Sequence, residues 1–280
     1  MGKRKAIKPA EWSREQLASL LAADAAAELE GCLLANSGLP GPRGNLELAH
    51  ALADRLAREA PGPAVRARLE RWRAQAPEQA PTGNPREFLS FCGALARSAD
   101  WARDGDGPGG ERGRARIARD LRQAAEDPRW RMREAAAMAL QRIGEADPAS
   151  LLELLPAWLE TGSYFVLRAV AAALAHPPLL EDPAIARRAL TLADGVLSKA
   201  AAAPAAARRE EGFRVLRQGL GYALSVLAAA EPEQGFALME HWAARRDPDV
   251  AWILRENLKK KRLARYPEGL RRVSKKLGGA

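Results

Sequence analysis

The chain has 280 residues, of which 47% are hydrophobic and only 5% are aromatic, so alanine and leucine carry most of the apolar surface. These two residues favour helices, whereas sheets are enriched in β-branched and aromatic residues. The net charge of +9 favours a polyanionic partner, although an arginine-rich surface can also arise without any ligand. The sequence has no run of about 18 apolar residues, which excludes a transmembrane helix.

The first half of the chain is divided by clusters of proline and glycine, which predict loops. These clusters lie at 37–45, 60–63, 80–85 and 104–110. The segments between them predict helices at 13–34, 45–59, 63–75 and 85–101, which we expect to pair over residues 13–110. Residues 1–12 are basic and lack the apolar stretch of a secretory signal, so we interpret them as a tail and expect a cytoplasmic protein.

The second half repeats one pattern, in which an arginine follows an apolar residue inside a helix-length segment. These arginines are Arg133, Arg168, Arg217 and Arg255, roughly 40 residues apart, as in helical-hairpin repeats. Each one follows another predicted helix, at 113–126, 148–160, 183–199 and 232–244. An Asp-Pro or Pro step lies near each junction and predicts a capped helix start.

The segment DPRWRMREAAAMAL, at 127–140, resembles the second helix of a HEAT repeat, whose pattern is Asp-Pro, polar residues, Val-Arg and then alternating alanine and leucine. The resemblance is specific for this repeat, looser for the other three, and extends over about 111–264. It implies an all-α fold, a right-handed α-solenoid of stacked antiparallel helix pairs whose second helices line a concave binding face. We expect the pairs of 13–110 to continue this solenoid and residues 265–280 to form a basic tail.

In HEAT repeats the matching arginine usually ties neighbouring repeats together, which gives the four arginines a structural interpretation. Three residues earlier, on the same helix face, lie Trp130, Phe165, Arg214 and Trp252. These side chains either pack against a neighbouring repeat or form a ladder that stacks on bases and binds phosphates. In the last repeat, Lys259 and Arg262 extend a basic stripe from Trp252 and Arg255.

The ten candidate binding residues of the concave face are therefore Trp130, Arg133, Phe165, Arg168, Arg214, Arg217, Trp252, Arg255, Lys259 and Arg262. They fit two kinds of partner, another protein or a nucleic acid.

The sequence contains none of the common catalytic motifs, and we expect no cofactor and no metal. Cys32 and Cys92 lie in separate apolar stretches without metal-ligand spacing, which is typical of buried thiols in a reducing compartment. The expected function is therefore a non-enzymatic binding or scaffold protein.

One enzyme class remains as an alternative. The bacterial HEAT-like DNA alkylation-repair glycosylases are helical solenoids of similar length with a basic cleft lined by tryptophans, such as Trp101, Trp130 and Trp252 here. That chemistry needs an aspartate close to the cleft tryptophans. The positions one turn either side of Trp130 are Glu126 and Glu134, while Asp104 and Asp106 lie in a glycine-rich loop. The resemblance is thus architectural.

Overall fold

The computed structural model of the chain describes residues 12–104 and 110–278. In these ranges it has fourteen α-helices, three short 3-10 helices and no strand, which confirms the all-α prediction. None of the described helices is both long enough and apolar enough to cross a bilayer. The predicted tail at 1–12 lies almost wholly outside the described residues, as does most of the loop at 104–110.

The chain divides into two compact units, Met1–Ala139 and Leu140–Ala280. The grouping of helices into 13–110 and 111–264 within one solenoid stays a prediction. The division falls inside α7. The helices up to this point are α1 Arg14–Ala22, α2 Ala26–Ala35, α3 Leu46–Arg58, α4 Pro63–Arg73, α5 Pro85–Asp104, α6 Gly110–Ala125 and α7 Trp130–Ala146. The later helices are α8 Pro148–Thr161, α9 Tyr164–Leu174, α10 Pro183–Ala201, α11 Glu211–Ala230, α12 Pro232–Ala243, α13 Pro248–Leu258 and α14 Pro267–Lys276.

Aspartate caps start three helices of the second unit, as the Asp-Pro steps predicted. The side chain of Asp147 accepts a hydrogen bond from the Ser150 N–H at the start of α8. Asp182 caps α10 through the N–H of Ala184 in the same way. Asp247 accepts from two N–H groups at the start of α13. Each cap satisfies donors that the first helical turn leaves without a partner.

The predicted single helix at 13–34 is wrong, because the chain breaks there into α1 and α2 at Asp24. Asp24 adopts a left-handed backbone with φ of 49°. Its carboxylate accepts hydrogen bonds from the N–H groups of Ala64 and Val65, at 2.9 and 2.7 Å, and so caps the start of α4. The break therefore positions a carboxylate that caps a helix beginning about 40 residues later in the chain.

The C-terminal segment 265–280, which was expected to be a tail, contains helix α14. This helix packs against α12. Val273 is fully buried, and a Cβ atom at Gly269 would lie only 2.5 Å from the Phe236 ring, so the two helices approach closely. The charged side chains of α14 are exposed, and two of them, Arg272 and Lys276, pair with Glu240 of α12. The buried side of α14 contributes to the core of the second unit.

The core of the second unit surrounds α11, which packs against α9 on one side and α13 on the other. These three are the second helices of successive predicted pairs, and α8, α10 and α12 are the first helices. Leu216, Leu220 and Leu224 of α11 are buried at helical spacing. The right-handed superhelical path and its continuity along the chain stay predictions.

Candidate functional site

Eight of the ten candidate binding residues lie on or just after the three adjacent helices α9, α11 and α13. Phe165 and Arg168 are on α9, and Arg214 and Arg217 are on α11. Trp252 and Arg255 are on α13, with Lys259 at its C-terminal end and Arg262 in the 3-10 helix Lys261–Leu263. The fold therefore places on adjacent helices side chains that are far apart in the sequence.

Glycines of α11 lie under the large side chains of its two neighbours. A Cβ atom at Gly212 would lie 3.5 Å from the Phe165 ring, and one at Gly219 would lie 3.2 Å from Cγ of Arg168. On the other side, a Cβ atom at Gly221 would lie 3.2 Å from the Trp252 ring. The small residues of α11 therefore leave room for the aromatic and arginine side chains of α9 and α13.

Arg217 joins α11 to α13 through a ring contact and an ion pair. Its guanidinium carbon lies 3.9 Å from the centroid of the Trp252 ring. Its Nε atom lies 3.0 Å from Oδ1 of Asp249, which precedes Trp252 by about one helical turn. For Arg217 the structural interpretation is supported, since both contacts connect neighbouring helices of the predicted repeats.

Tyr222 is a surface aromatic residue that the sequence reasoning missed. Its side chain is 48% exposed. Arg262 donates a hydrogen bond to the Tyr222 hydroxyl at 2.7 Å, and its guanidinium carbon lies 4.6 Å from the ring centroid. The signal was present in the sequence, because Tyr222 lies two turns after Arg214 and so belongs on the same face of α11.

Two exposed arginine side chains on these helices have no partner. The guanidinium groups of Arg214 on α11 and Arg255 on α13 make no hydrogen bond or ion pair with any residue that the structure describes. The structural interpretation of Arg255 is not supported. The last helix, α14, packs against α12, which is a first helix of a predicted pair. In the described part of the chain, α13 is therefore the last of the second helices.

We call this region of the second unit the basic face. It consists of Arg168, Arg214, Arg217, Tyr222, Trp252, Arg255, Lys259, Lys260 and Arg262. The helices α9, α11 and α13 carry three carboxylates, Glu211, Asp249 and Glu256, so the seven cations of the basic face outnumber them. The hydrogen bond from Lys259, at 2.5 Å, lowers the pKa of the Glu256 carboxyl.

The other two candidates, Trp130 and Arg133, lie in the first unit and have different surroundings. Arg133 is only 7% exposed and donates to the carbonyl oxygens of Asp127 and Pro128, both at 3.0 Å. These bonds hold the turn before its own helix, so its contacts support a structural interpretation. Trp130 is 44% exposed, and the Arg131 guanidinium carbon lies 4.4 Å from its ring centroid.

The neighbouring arginines of this segment also hold the fold. Arg129 is buried and pairs with Asp127 at 2.7 Å, and it also donates to the carbonyl oxygens of Gln75 and Ala80. Arg131 is buried and pairs with Glu87 at 3.0 Å. The dense arginines of 127–144 thus include three that bind backbone or carboxylate groups of the first unit.

Comparison with known proteins agrees with the predicted pairing of α6 with α7 and of α8 with α9. Residues 109–177 match the family model described as HEAT repeats, a range that contains α6, α7, α8 and α9. This segment has the sequence pattern of HEAT repeats. No curated protein matches the sequence. The predicted resemblance of 127–140 to a HEAT helix, which lies inside the matched range, is therefore confirmed.

The structure also shows the surroundings of the side chains that could support catalysis, namely an aspartate near a tryptophan, a thiol and possible metal ligands. Asp249 is the aspartate nearest to Trp252 in sequence, but Arg208 and Arg217 occupy both of its carboxylate oxygens, at 2.8 and 3.0 Å. Burial raises the pKa of the Cys92 thiol, which therefore stays protonated at neutral pH. Among the described residues, no group of three or more His, Cys, Asp or Glu side chains could hold a metal ion.

Proposed function

We propose that this HEAT-repeat chain is a non-enzymatic binding protein and that its basic face binds nucleic acid. HEAT repeats stack into surfaces suited to binding extended partners. The observation that carries the proposal is the pair of exposed and uncommitted cations, Arg214 and Arg255, on the packed helices α11 and α13. Neither cation has to break an existing ion pair before it binds a phosphate.

Electrostatics favours a polyanion over an uncharged partner. The cations of the basic face outnumber its carboxylates, and the whole chain carries a net charge of +9. Such a surface attracts phosphates at long range and releases condensed counterions when they bind. Binding should therefore weaken steeply as the salt concentration rises.

Tyr222 favours nucleic acid over an acidic protein. Its ring is about half exposed, and Arg262 lies against it. An exposed aromatic ring among cations can stack on an unpaired base, which contributes about 1–3 kcal/mol per base. An acidic protein would use the cations but would gain no such stacking, so variants of Tyr222 separate the two partners.

The test measures the affinity of the full chain for fluorescently labelled oligonucleotides, duplex and single-stranded, across a salt series. Replacing Arg214 and Arg255 by alanine removes two phosphate contacts. The slope of log affinity against log salt should then fall by about 1.8 for duplex or about 1.4 for single strands. The melting temperature should hardly change, because exposed charges contribute about 0–1 kcal/mol to stability.

A matched control removes the same charge elsewhere. Arg66 and Arg71 are exposed cations of α4 in the first unit, and neither side chain has a partner among the described residues. The double alanine variant of this pair should keep the slope of the parent. If both double variants lower the slope equally, the attraction comes from net charge alone and the basic face is not the site. Absence of binding by the parent at low salt would also refute the proposal.

A further inference from the structure

The first unit contains a cavity of about 260 Å³ that opens between the start of α3, the first two turns of α5 and the first turns of α7. Its apolar walls are Leu46, Phe88, Phe91, Trp130 and Met138, and we call it the Trp130 cavity. It lies outside the basic face and depends on different residues. An inference about it therefore stands independently of nucleic-acid binding.

Exposed apolar side chains converge on this cavity. Over the described residues, three large hydrophobic side chains are exposed, namely Leu46 at 38%, Trp130 at 44% and Tyr222. Two of the three line the Trp130 cavity. Isolated exposed apolar residues are ordinary, but a group of them around a concavity is typical of an interaction site.

The walls of the cavity are held in place from behind. Phe88 and Phe91 are buried, and their rings lie nearly parallel with centroids 6.3 Å apart. Arg131 lies against the Trp130 ring, pairs with Glu87 at 3.0 Å and donates to the Gly41 carbonyl oxygen at 2.9 Å. A preformed cavity of this kind loses little conformational entropy when a ligand enters.

The uncommitted polar groups of the lining are hydrogen-bond donors. Arg43, at the rim, is exposed and makes no hydrogen bond or ion pair within the described ranges. Arg131 is buried, and its Nε–H has no partner there either. Glu134, which also lines the cavity, already has an interaction of its own. The groups left to satisfy therefore favour an occupant with negative charge and acceptor oxygens.

We propose that the Trp130 cavity binds an acidic peptide segment of another protein through one large apolar or aromatic anchor side chain. Its volume is below the roughly 300–1,000 Å³ of sites for drug-sized ligands, and is better suited to a single side chain. A carboxylate beside the anchor would pair with Arg43, and a carbonyl oxygen would accept from Arg131. The N-terminal residues of this chain have the wrong charge for that role, since Lys3, Arg4, Lys5 and Lys8 would face Arg43.

The test selects binders from a random peptide library displayed on phage against the full chain. The library is first depleted on the Trp130→Ala variant, so that only peptides dependent on the cavity remain. We expect the enriched peptides to share one Phe, Trp or Leu flanked by Asp or Glu. Failure to enrich any peptide, or enrichment of basic peptides or of peptides without an apolar anchor, would overturn the proposal.

One enriched peptide, labelled with fluorescein, then gives the affinities. Trp130→Ala, or alanine at the anchor of the peptide, should weaken binding about 30-fold, as for an interface hot spot. Arg43→Glu should weaken it about fivefold or more, and added salt should reduce this effect. Two controls outside the cavity, Tyr222→Ala and Arg71→Glu, should leave the affinity unchanged.

Melting temperatures show whether a variant loses peptide binding only because it has unfolded. Arg43 is exposed and uncommitted, so Arg43→Glu should melt at the same temperature as the parent. Leu46→Glu supplies a second variant at the rim, where a new carboxylate would repel an acidic peptide. Equal peptide affinity for the parent, Arg43→Glu and Leu46→Glu would contradict the proposal.

Discussion

Replacing Trp252 by alanine tests whether this ring joins two helices or stacks on a ligand. The partly buried ring carries the Arg217 guanidinium at 3.9 Å and lies over Gly221 of α11. Losing the cation–π contact costs about 0.5–1 kcal/mol. Truncating a fully buried tryptophan costs about 3–5 kcal/mol, so a partly buried one should cost about 2 kcal/mol. The free energy of unfolding should therefore fall by about 2–3 kcal/mol.

The assay is thermal and urea unfolding of the variant and the parent. For a chain of this size, each kcal/mol corresponds to about 3 °C in melting temperature, so we expect a decrease of about 6–9 °C. Trp252→Phe is the matched control, because it keeps a ring over Gly221 and should lose about half as much. A structural role for Trp252 is refuted if Trp252→Ala melts at the same temperature as the parent but loses about 1–3 kcal/mol of single-strand affinity. That loss is the value of one base stack.

Three further predictions concern Tyr222, Asp247 and catalysis. Tyr222→Ala should reduce single-strand affinity by about 1–3 kcal/mol while Tyr222→Phe keeps most of it, and equal losses in titrations of the two variants would argue against stacking. Asp247→Ala removes a helix cap and the Arg208 ion pair, so it should lower the free energy of unfolding in urea by about 1–3 kcal/mol at neutral pH. Burial would raise the pKa of Asp247, but the hydrogen bonds from Arg208 and the α13 backbone outweigh it and lower the pKa. Its stabilisation is therefore present above about pH 4 and lost as the pH falls through the lowered pKa, and the parent and Asp247→Ala should converge in stability there. Finally, the chain should release no base from alkylated duplex DNA, because two arginines occupy the carboxylate of Asp249; release above background that Asp249→Asn abolishes would contradict this.

Local sequence signals predicted most of the helices. Caps and helical periodicity act over a few residues, so the Asp-Pro steps and the apolar stripes could be interpreted without a structure. Met132, Ala136 and Ile143 of the predicted α7 stripe are indeed buried. The break at Asp24 could not be found this way, because the helix that it caps begins far downstream.

The charge pattern misled the interpretation of the C-terminus. The segment 265–280 is dominated by lysine and arginine, which is typical of a solvated tail. Its burial depends on Val273 and on the close approach at Gly269, and the partner for both is α12. A helix with so few apolar residues is visible only once the surface that it covers is known.

For the candidate site, the repeat alignment predicted which helices lie side by side but could not predict the partners of each arginine. Arg133 binds its own turn, Arg217 binds an aspartate of the following second helix, and Arg255 is uncommitted. The same aligned position therefore has three different roles. The Trp130 cavity also could not be predicted from the sequence, because its walls come from three helices. The tryptophan at the start of α7 was the one signal for it.

Photo-crosslinking shows directly whether the basic face of α9, α11 and α13 binds nucleic acid. The full chain is irradiated with a labelled single-stranded oligonucleotide, and the attached peptides are identified by mass spectrometry. If the basic face binds the oligonucleotide, the crosslinks should be concentrated at Tyr222 and at residues 259–262, and an excess of unlabelled oligonucleotide should remove them. Crosslinks confined to α14 or to the first unit would contradict it.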